Sequence, residues 1–201
     1  MYVPTPFQSS DREAILDLIE AAPFATVITT GGEPAVSHVP VSLTRSETGW
    51  GTLRGHMARG NPHWRLLDGA RQSLLIFHGP HAYVSPSWYE EPAAPPTWNY
   101  AVAHAYGRPA ILEGGPRTAA LLDELLARYE REPLALSEAA RRSLERGIVG
   151  FELAIERVEA KFKLGQNKTA ADRAGTVAAL EKQGDVERDL AAWTRRLTDL
   201  S

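Results

Sequence analysis

Residues 24–58 read as three successive β-strands separated by two short turns, and this pattern limits what the chain can become. Phe24-Ala-Thr-Val-Ile-Thr-Thr30 is rich in β-branched residues, which suit a pleated, half-buried surface. Gly31-Gly32-Glu33-Pro34 and Ser46-Glu47-Thr48-Gly49 have the composition of turns. Between them Ala35, Ser37, Val39, Val41 and Leu43 fall on one face of a strand, and Val36, His38, Pro40 and Ser42 on the other. In the third strand, Trp50 to Ala58, Leu53, Gly55 and Met57 oppose Arg54, His56 and Ala58. Turns this short join antiparallel neighbours, because a parallel pair needs a crossover of roughly a dozen residues. Pro40 lacks an N–H for the ladder, so its strand is an edge, a bulge or a ligand rim.

The remaining elements extend the pattern. Ser10-Asp-Arg-Glu13 reads as a capping box for a helix carrying Ala14, Ile15, Leu18, Ile19 and Ala22, which Pro23 ends. A fourth strand, Ser73 to Phe77, is broken by His78-Gly79-Pro80 and continued by His81-Ala-Tyr-Val84. Ser85 to Pro96 is a proline-rich loop, and Thr97 to Tyr106 a fifth strand. Gly114-Gly115-Pro116 opens a helix with Leu121, Leu122, Leu125, Leu126 and Tyr129 as its stripe. Ser137 caps a second helix that ends at Gly147 as its C-cap. Ile148 to Leu164 is the sixth strand: Val149, Phe151, Leu153 and Ile155 alternate first, then Val158, Ala160, Phe162 and Leu164 oppose Lys161 and Lys163. Thr169 onward is helical to about Gln183 and again from Asp185, with Val186, Leu190, Trp193 and Leu197 as the stripe.

These elements predict a β-rich α+β fold: a six-stranded antiparallel barrel with flanking helices, in one domain over 1–201 with a C-terminal helical appendage over 168–201. Strands do not alternate regularly with helices, and no Gly-x-Gly-x-x-Gly follows a strand, so a nucleotide would not be held in the Rossmann manner. With 201 residues, 43% hydrophobic and 23% charged, the chain has an ordinary globular composition and can bury a core without staples. A net charge of −3 gives no global pull toward nucleic acid or anionic lipid. The absence of cysteine excludes disulfides and thiolate chemistry. No apolar run suggests a membrane span and the N-terminus shows no signal pattern, so the expected location is the cytoplasm.

Leu53 to Trp64 concentrates the polar chemistry. A strand runs into Gly60-Asn61-Pro62 and then a short helix from His63, a junction that can aim N–H groups and arginines at an anion. Half of a flavin phosphate site is one reading and an ordinary turn the other. Of Arg54, Arg59 and Arg65, Arg59 is best placed because it precedes the turn. Five of the six histidines lie between residues 38 and 81; no metal site is expected, since His78-Gly-Pro-His81 is not helical and no carboxylate lies nearby, and a haem on one of them is an alternative. Trp88 and Trp98 suit a ligand or an interface. Gln166, Asn167 and a lysine in Lys161-Phe-Lys-Leu-Gly-Gln-Asn-Lys168 could read a flavin edge, or the segment could simply start the next helix. No catalytic acid, base or nucleophile emerges.

Gly55-His-Met-Ala-Arg-Gly-Asn-Pro-His-Trp64, Gly79-Pro-His-Ala-Tyr-Val-Ser-Pro-Ser-Trp-Tyr89, Pro96-Thr-Trp-Asn-Tyr100, Gly147-Ile-Val-Gly-Phe151 and Lys161-Phe-Lys-Leu-Gly-Gln-Asn-Lys168 together resemble the PaiB family of FMN-binding negative transcriptional regulators, over nearly the whole chain. Gly165 departs from the serine expected there. The resemblance implies an FMN-binding split barrel and a homodimer, with a regulatory, sensing or weak oxidoreductase role; a haem-handling protein on the same barrel is the alternative. It implies that His38, Val39, Pro40 and Val41 run along the flavin, and that Gly55, His56, Met57, Ala58, Arg59 and Asn61 hold ring and phosphate. Lys163, Gln166 and Asn167 would close the site, with Trp98 and Asn99 reaching in from the second chain. DNA follows from the family's name, but no helix-turn-helix pattern or basic face supports it.

Overall fold

In a computed structural model of the protein, the described residues are 1–90, 95–112, 115–132 and 134–198. They form α1 (Arg12–Ala21), β1 (Phe24–Thr29), β2 (Ala35–Thr44), β3 (Thr52–Ala58), β4 (Ser73–Val84), β5 (Thr97–Gly107), β6 (Pro109–Ile111), α2 (Gly115–Tyr129), α3 (Glu138–Gly147), β7 (Ile148–Ala154), β8 (Arg157–Lys163), α4 (Ala170–Leu180) and α5 (Asp185–Leu197). The chain divides into two compact units: a first of Met1–Leu18, His78–Ala103 and Glu159–Ser201, and a second of Ile19–Phe77 and His104–Val158.

In the second unit the strands lie in the order β6-β7-β3-β2-β1-β4. The pairings β1–β2, β1–β4, β2–β3, β3–β7 and β6–β7 are antiparallel, as the short turns require. Alternation decides the core: Ala25 and Val27 of β1, Val39 and Val41 of β2, Leu53 and Met57 of β3, and Phe151 and Leu153 of β7 are buried. Pro40 is not on an edge strand. Residues 35–40 of β2 pair with β1 and residues 41–44 with β3, so the missing donor falls where the ladder changes partner. Leu112, Leu121 and Leu125 form a separate buried cluster that seats α2.

In the first unit β4, β5 and β8 are neighbours, and α4 and α5 pack together. Phe162 of β8 stacks on Trp193 of α5 with ring centroids 5.6 Å apart, and Leu190, Ala191 and Thr194 complete the buried side of that helix.

Several expectations are corrected. There are eight strands among the described residues, not six. Ile148 to Leu164 is two strands, because Ile155 and Glu156 leave the ladder to donate to the carbonyls of Gly51 and Tyr106. Pro109–Ile111 is the other addition. His78-Gly79-Pro80 does not interrupt β4, since Gly79 has no positive φ and proline removes a donor without ending extension. The α1 cap is Asp11, whose carboxylate accepts from the Ala14 N–H at 3.0 Å, not Ser10. Gly147 is the last residue of α3 and Ile148 its C-cap, and Val186 lies exposed at the start of α5 rather than in its stripe. Gly114 and part of the Ser85–Pro96 loop lie outside the described residues.

Candidate functional site

The Leu53–Trp64 stretch folds as β3, a turn, and a short 3-10 helix over Pro62–Leu66. Asn61 caps that helix by accepting from the His63 N–H at 3.1 Å, which orients its amide to donate from Nδ2 to Ser37 Oγ at 2.8 Å. His63 is buried, with Nδ1 2.8 Å from Ser37 Oγ and Nε2 2.9 Å from Thr29 Oγ1, which in turn lies 2.6 Å from Ser73 Oγ. One ring proton serves the whole chain of contacts: in either tautomer one ring nitrogen accepts from its hydroxyl, the other donates to its own, and the Thr29–Ser73 bond follows in the same sense. That is the neutral imidazole, and burial lowers the His63 pKa accordingly. Asn61 and His63 therefore brace the turn between β3 and β4.

The arginines are also engaged. Arg59 donates from Nε to the Arg146 carbonyl and from Nη2 to the Ile148 carbonyl, both at 2.8 Å, so its fork closes the C-terminal end of α3. Arg54 faces Glu152 at 3.7 Å, and Arg65 stacks on Trp64 at 5.0 Å. A phosphate would have to replace or extend these contacts.

Other expected residues divide by face. The side chains of Val39, Val41 and Met57 lie in the core, so they can offer a ligand only their main chain. Gly55 belongs with them: a Cβ there would come within 2.9 Å of the Phe151 ring and of Val41 Cγ1, so its small size serves packing. Pro40 is half-buried at the partner change and Ala58 is exposed at the end of β3. Exposed His38 shares Nδ1 with Thr26 Oγ1 at 3.1 Å and stacks on Phe24. His56 is half-buried, and burial lowers its pKa. Its Nδ1 and the Ser42 Oγ are buried polar atoms without a hydrogen-bond partner among the described residues. Each calls for a partner from outside the protein, a ligand or ordered water. Ser42 pairs in register with Arg54, and His56 is two residues further along the same face of β3. Nothing in the sequence marked Ser42 beyond its place opposite the apolar face.

In the first unit Lys163 donates to the Trp98 carbonyl at 2.8 Å and to Thr97 Oγ1. Burial, and then Lys161 nearby, lower its pKa. Asn99 is buried, and Gly165 has a φ of +84°, where side chains other than glycine's are strained. Gln166 folds back on its own loop, with Oε1 accepting from the Leu164 N–H at 2.8 Å and Nε2 donating to the Phe162 carbonyl at 2.6 Å. Asn167 is exposed, and Thr169 rather than Asn167 caps α4. Trp98 stands half in solvent, its ring 6.3 Å from those of His81 and Tyr83.

The second unit is an antiparallel β-rich scaffold that sets orphaned imidazole and hydroxyl groups beside Arg54, a place that a polar ligand can fill. The profile of a family described as "Putative FMN-binding domain" matches residues 1–157. The protein is 34% identical to the protease synthase and sporulation protein PAI 2 of Bacillus subtilis, over 91% of this chain and 90% of that one. It therefore belongs to the PaiB family of FMN-binding proteins, and its cofactor is FMN. Two solved structures share the fold. The FAD and heme binding protein from Mycobacterium smegmatis has a TM-score of 0.59 at 20% identity, covering 83% of this chain and 78% of that one. The flavocytochrome Anf3 from Azotobacter vinelandii has 0.59 at 16%, covering 79% and 70%.

Proposed function

We propose that the protein is a homodimeric PaiB-type flavoprotein that uses FMN for sensing or for weak redox turnover, in a regulatory setting. The observation that supports it best is the unpartnered pair His56 Nδ1 and Ser42 Oγ on the Arg54 face of β2 and β3. FMN supplies the redox chemistry when bound; the protein binds, orients and shields it.

In the second unit, His38 and His56 are the candidates to contact the cofactor through side chains, with Pro40, Ala58 and the main chain of Val39, Val41, Gly55 and Met57 as a backing wall. Arg59 and Asn61 support the loop, since their polar atoms already hold carbonyls, Ser37 and the His63 N–H. In the first unit, Trp98, Asn99, Lys163 and Asn167 are the candidates, and Gln166 shapes the turn that presents Asn167. The Lys163 ammonium, with two of its donors used within the chain, retains a third for a carbonyl or phosphate oxygen.

The dimer is supported by the second unit's outer sheet face. Phe24 and Val36 are 65% and 53% exposed there, beside Ile28, Pro40, Leu74 and Ile76, with Thr26 and His38 as the polar members of the alternation and no carboxylate, lysine or arginine among them. A largely apolar exposed sheet face of this kind suits an interaction surface. DNA binding finds no support in a net charge of −3. Absorbance of the purified protein with and without added FMN tests the reading. We expect flavin bands that shift on binding; no flavin retained and no binding at micromolar FMN would overturn it.

A further inference from the structure

We infer that the first unit binds a small organic cation of the alkylammonium class, in a cleft of about 630 Å³ lined by Tyr83, Trp88, Trp98 and the Glu187 side chain. The site does not depend on where FMN sits.

Three separate pieces of chain bring these groups together. Alternation at the end of β4 buries Ala82 and Val84 and turns Tyr83 outward. Trp98, at the start of β5, stands beside it, with ring centres 6.3 Å apart and planes at 75°. Tyr83 is 48% exposed and Trp98 54%, so both keep aromatic surface open to the cleft. Trp88 ends the 3-10 helix Pro86–Trp88, whose main chain is pressed against α4: a Cβ on Gly175 would fall 2.2 Å from the Trp88 carbonyl oxygen. That contact needs glycine and holds the half-buried indole at the wall of the cleft.

The charge of the cleft is one-sided. Its lining includes Asp185 and Glu187 and no lysine or arginine. Asp185 is paired with Arg188, one turn further along α5. Glu187 is half-buried and has no hydrogen bond or ion pair among the described residues. Gly184, also in the lining, leaves room for its carboxylate, since a Cβ there would lie 2.8 Å from Glu187 Oε2.

An unpaired carboxylate beside aromatic faces complements an alkylammonium: the ring quadrupoles attract the positive charge, and the alkyl groups bury against the indoles. A bare metal ion does not fit, because among the described residues no group of three or more histidines or carboxylates could hold one. An anion would meet Glu187 with like charge.

The test is a titration of the FMN-loaded full chain with choline at constant ionic strength. Tryptophan fluorescence, to which Trp88 and Trp98 contribute, is followed together with flavin absorbance. We expect a saturable change at roughly millimolar choline. The neutral isostere, with a tert-butyl group in place of trimethylammonium, should bind about fivefold more weakly or less. Glu187→Gln and Tyr83→Leu should each weaken choline binding by about threefold or more, whereas Tyr83→Phe, which keeps the ring, should bind as the unaltered chain does. Glu187 also complements the positive end of α5, so a purely structural role would move the urea midpoint and leave choline affinity in place. No saturation at about ten times the expected concentration, equal binding of the isostere, or unchanged affinity in Glu187→Gln or Tyr83→Leu overturns the site. Release of flavin as choline binds overturns a site separate from FMN. Flavin absorbance that persists while the choline signal fails defeats the cation site alone.

Discussion

His63 makes its two hydrogen bonds where water cannot replace them. Truncating it leaves Ser37 and Thr29 facing a cavity, so His63→Ala should cost about 2–4 kcal/mol in urea unfolding. The same burial gives a pH dependence. His56 and His63 both have folded-state pKa values below the ordinary 6.5. The unfolded chain therefore binds protons at a higher pH than the folded one. Their contribution to stability is complete above about pH 6.5 and is lost as pH falls through the lower folded-state values. Urea midpoints measured from pH 7.5 down to pH 5 should fall, and replacing His63 by Gln should flatten the decline. Gly165, at φ +84°, makes a third residue-scale test: Gly165→Ser should cost about 1–2 kcal/mol in the same assay, although serine is what the resemblance led us to expect there.

At the scale of elements, Arg59 joins the end of α3 to the start of β7 through two carbonyls. Arg59→Met should destabilise by about 1–2 kcal/mol, and Arg59→Lys should not restore it, because an ammonium cannot span both acceptors as a fork does. If Arg59 instead held only phosphate, the substitution would weaken FMN binding and leave the urea midpoint in place. Elements also show how legible the sequence was. The burial patterns of β2 and β3 follow the alternation read from residues 35–58. The break between β7 and β8, which reading Ile148 to Leu164 as one strand overlooks, does leave a trace: the apolar positions are odd through Ile155 and even from Val158, a change of face that one uninterrupted strand cannot make. The choice of Asp11 over Ser10 as a cap was not legible, since both are good capping residues one position apart.

At the scale of the whole molecule, the outer face of β1, β2 and β4 is the face through which we propose that two copies pair. Val36→Glu or Ile28→Glu places a carboxylate in a largely apolar face. Light scattering after size exclusion should show a shift from dimer toward monomer, and an unchanged mass would rule this face out as the interface. Lys163→Met removes the cation of the first unit's candidate set and should weaken FMN binding by about tenfold or more, read by flavin fluorescence.

The sequence by itself determined the antiparallel order of the early strands, the faces they bury and the family, because alternation and short turns are local and the motifs keep their spacing. It singled out the stretch around His56 and Arg59. What only the tertiary structure decided is which of those groups remain available to a ligand. Arg59 and Asn61 are engaged with carbonyls, Ser37 and the His63 N–H, while His56 Nδ1 and Ser42 Oγ are left without partners. A side chain's chemistry is written in its identity, but its availability depends on neighbours that the fold brings from up to 89 residues away.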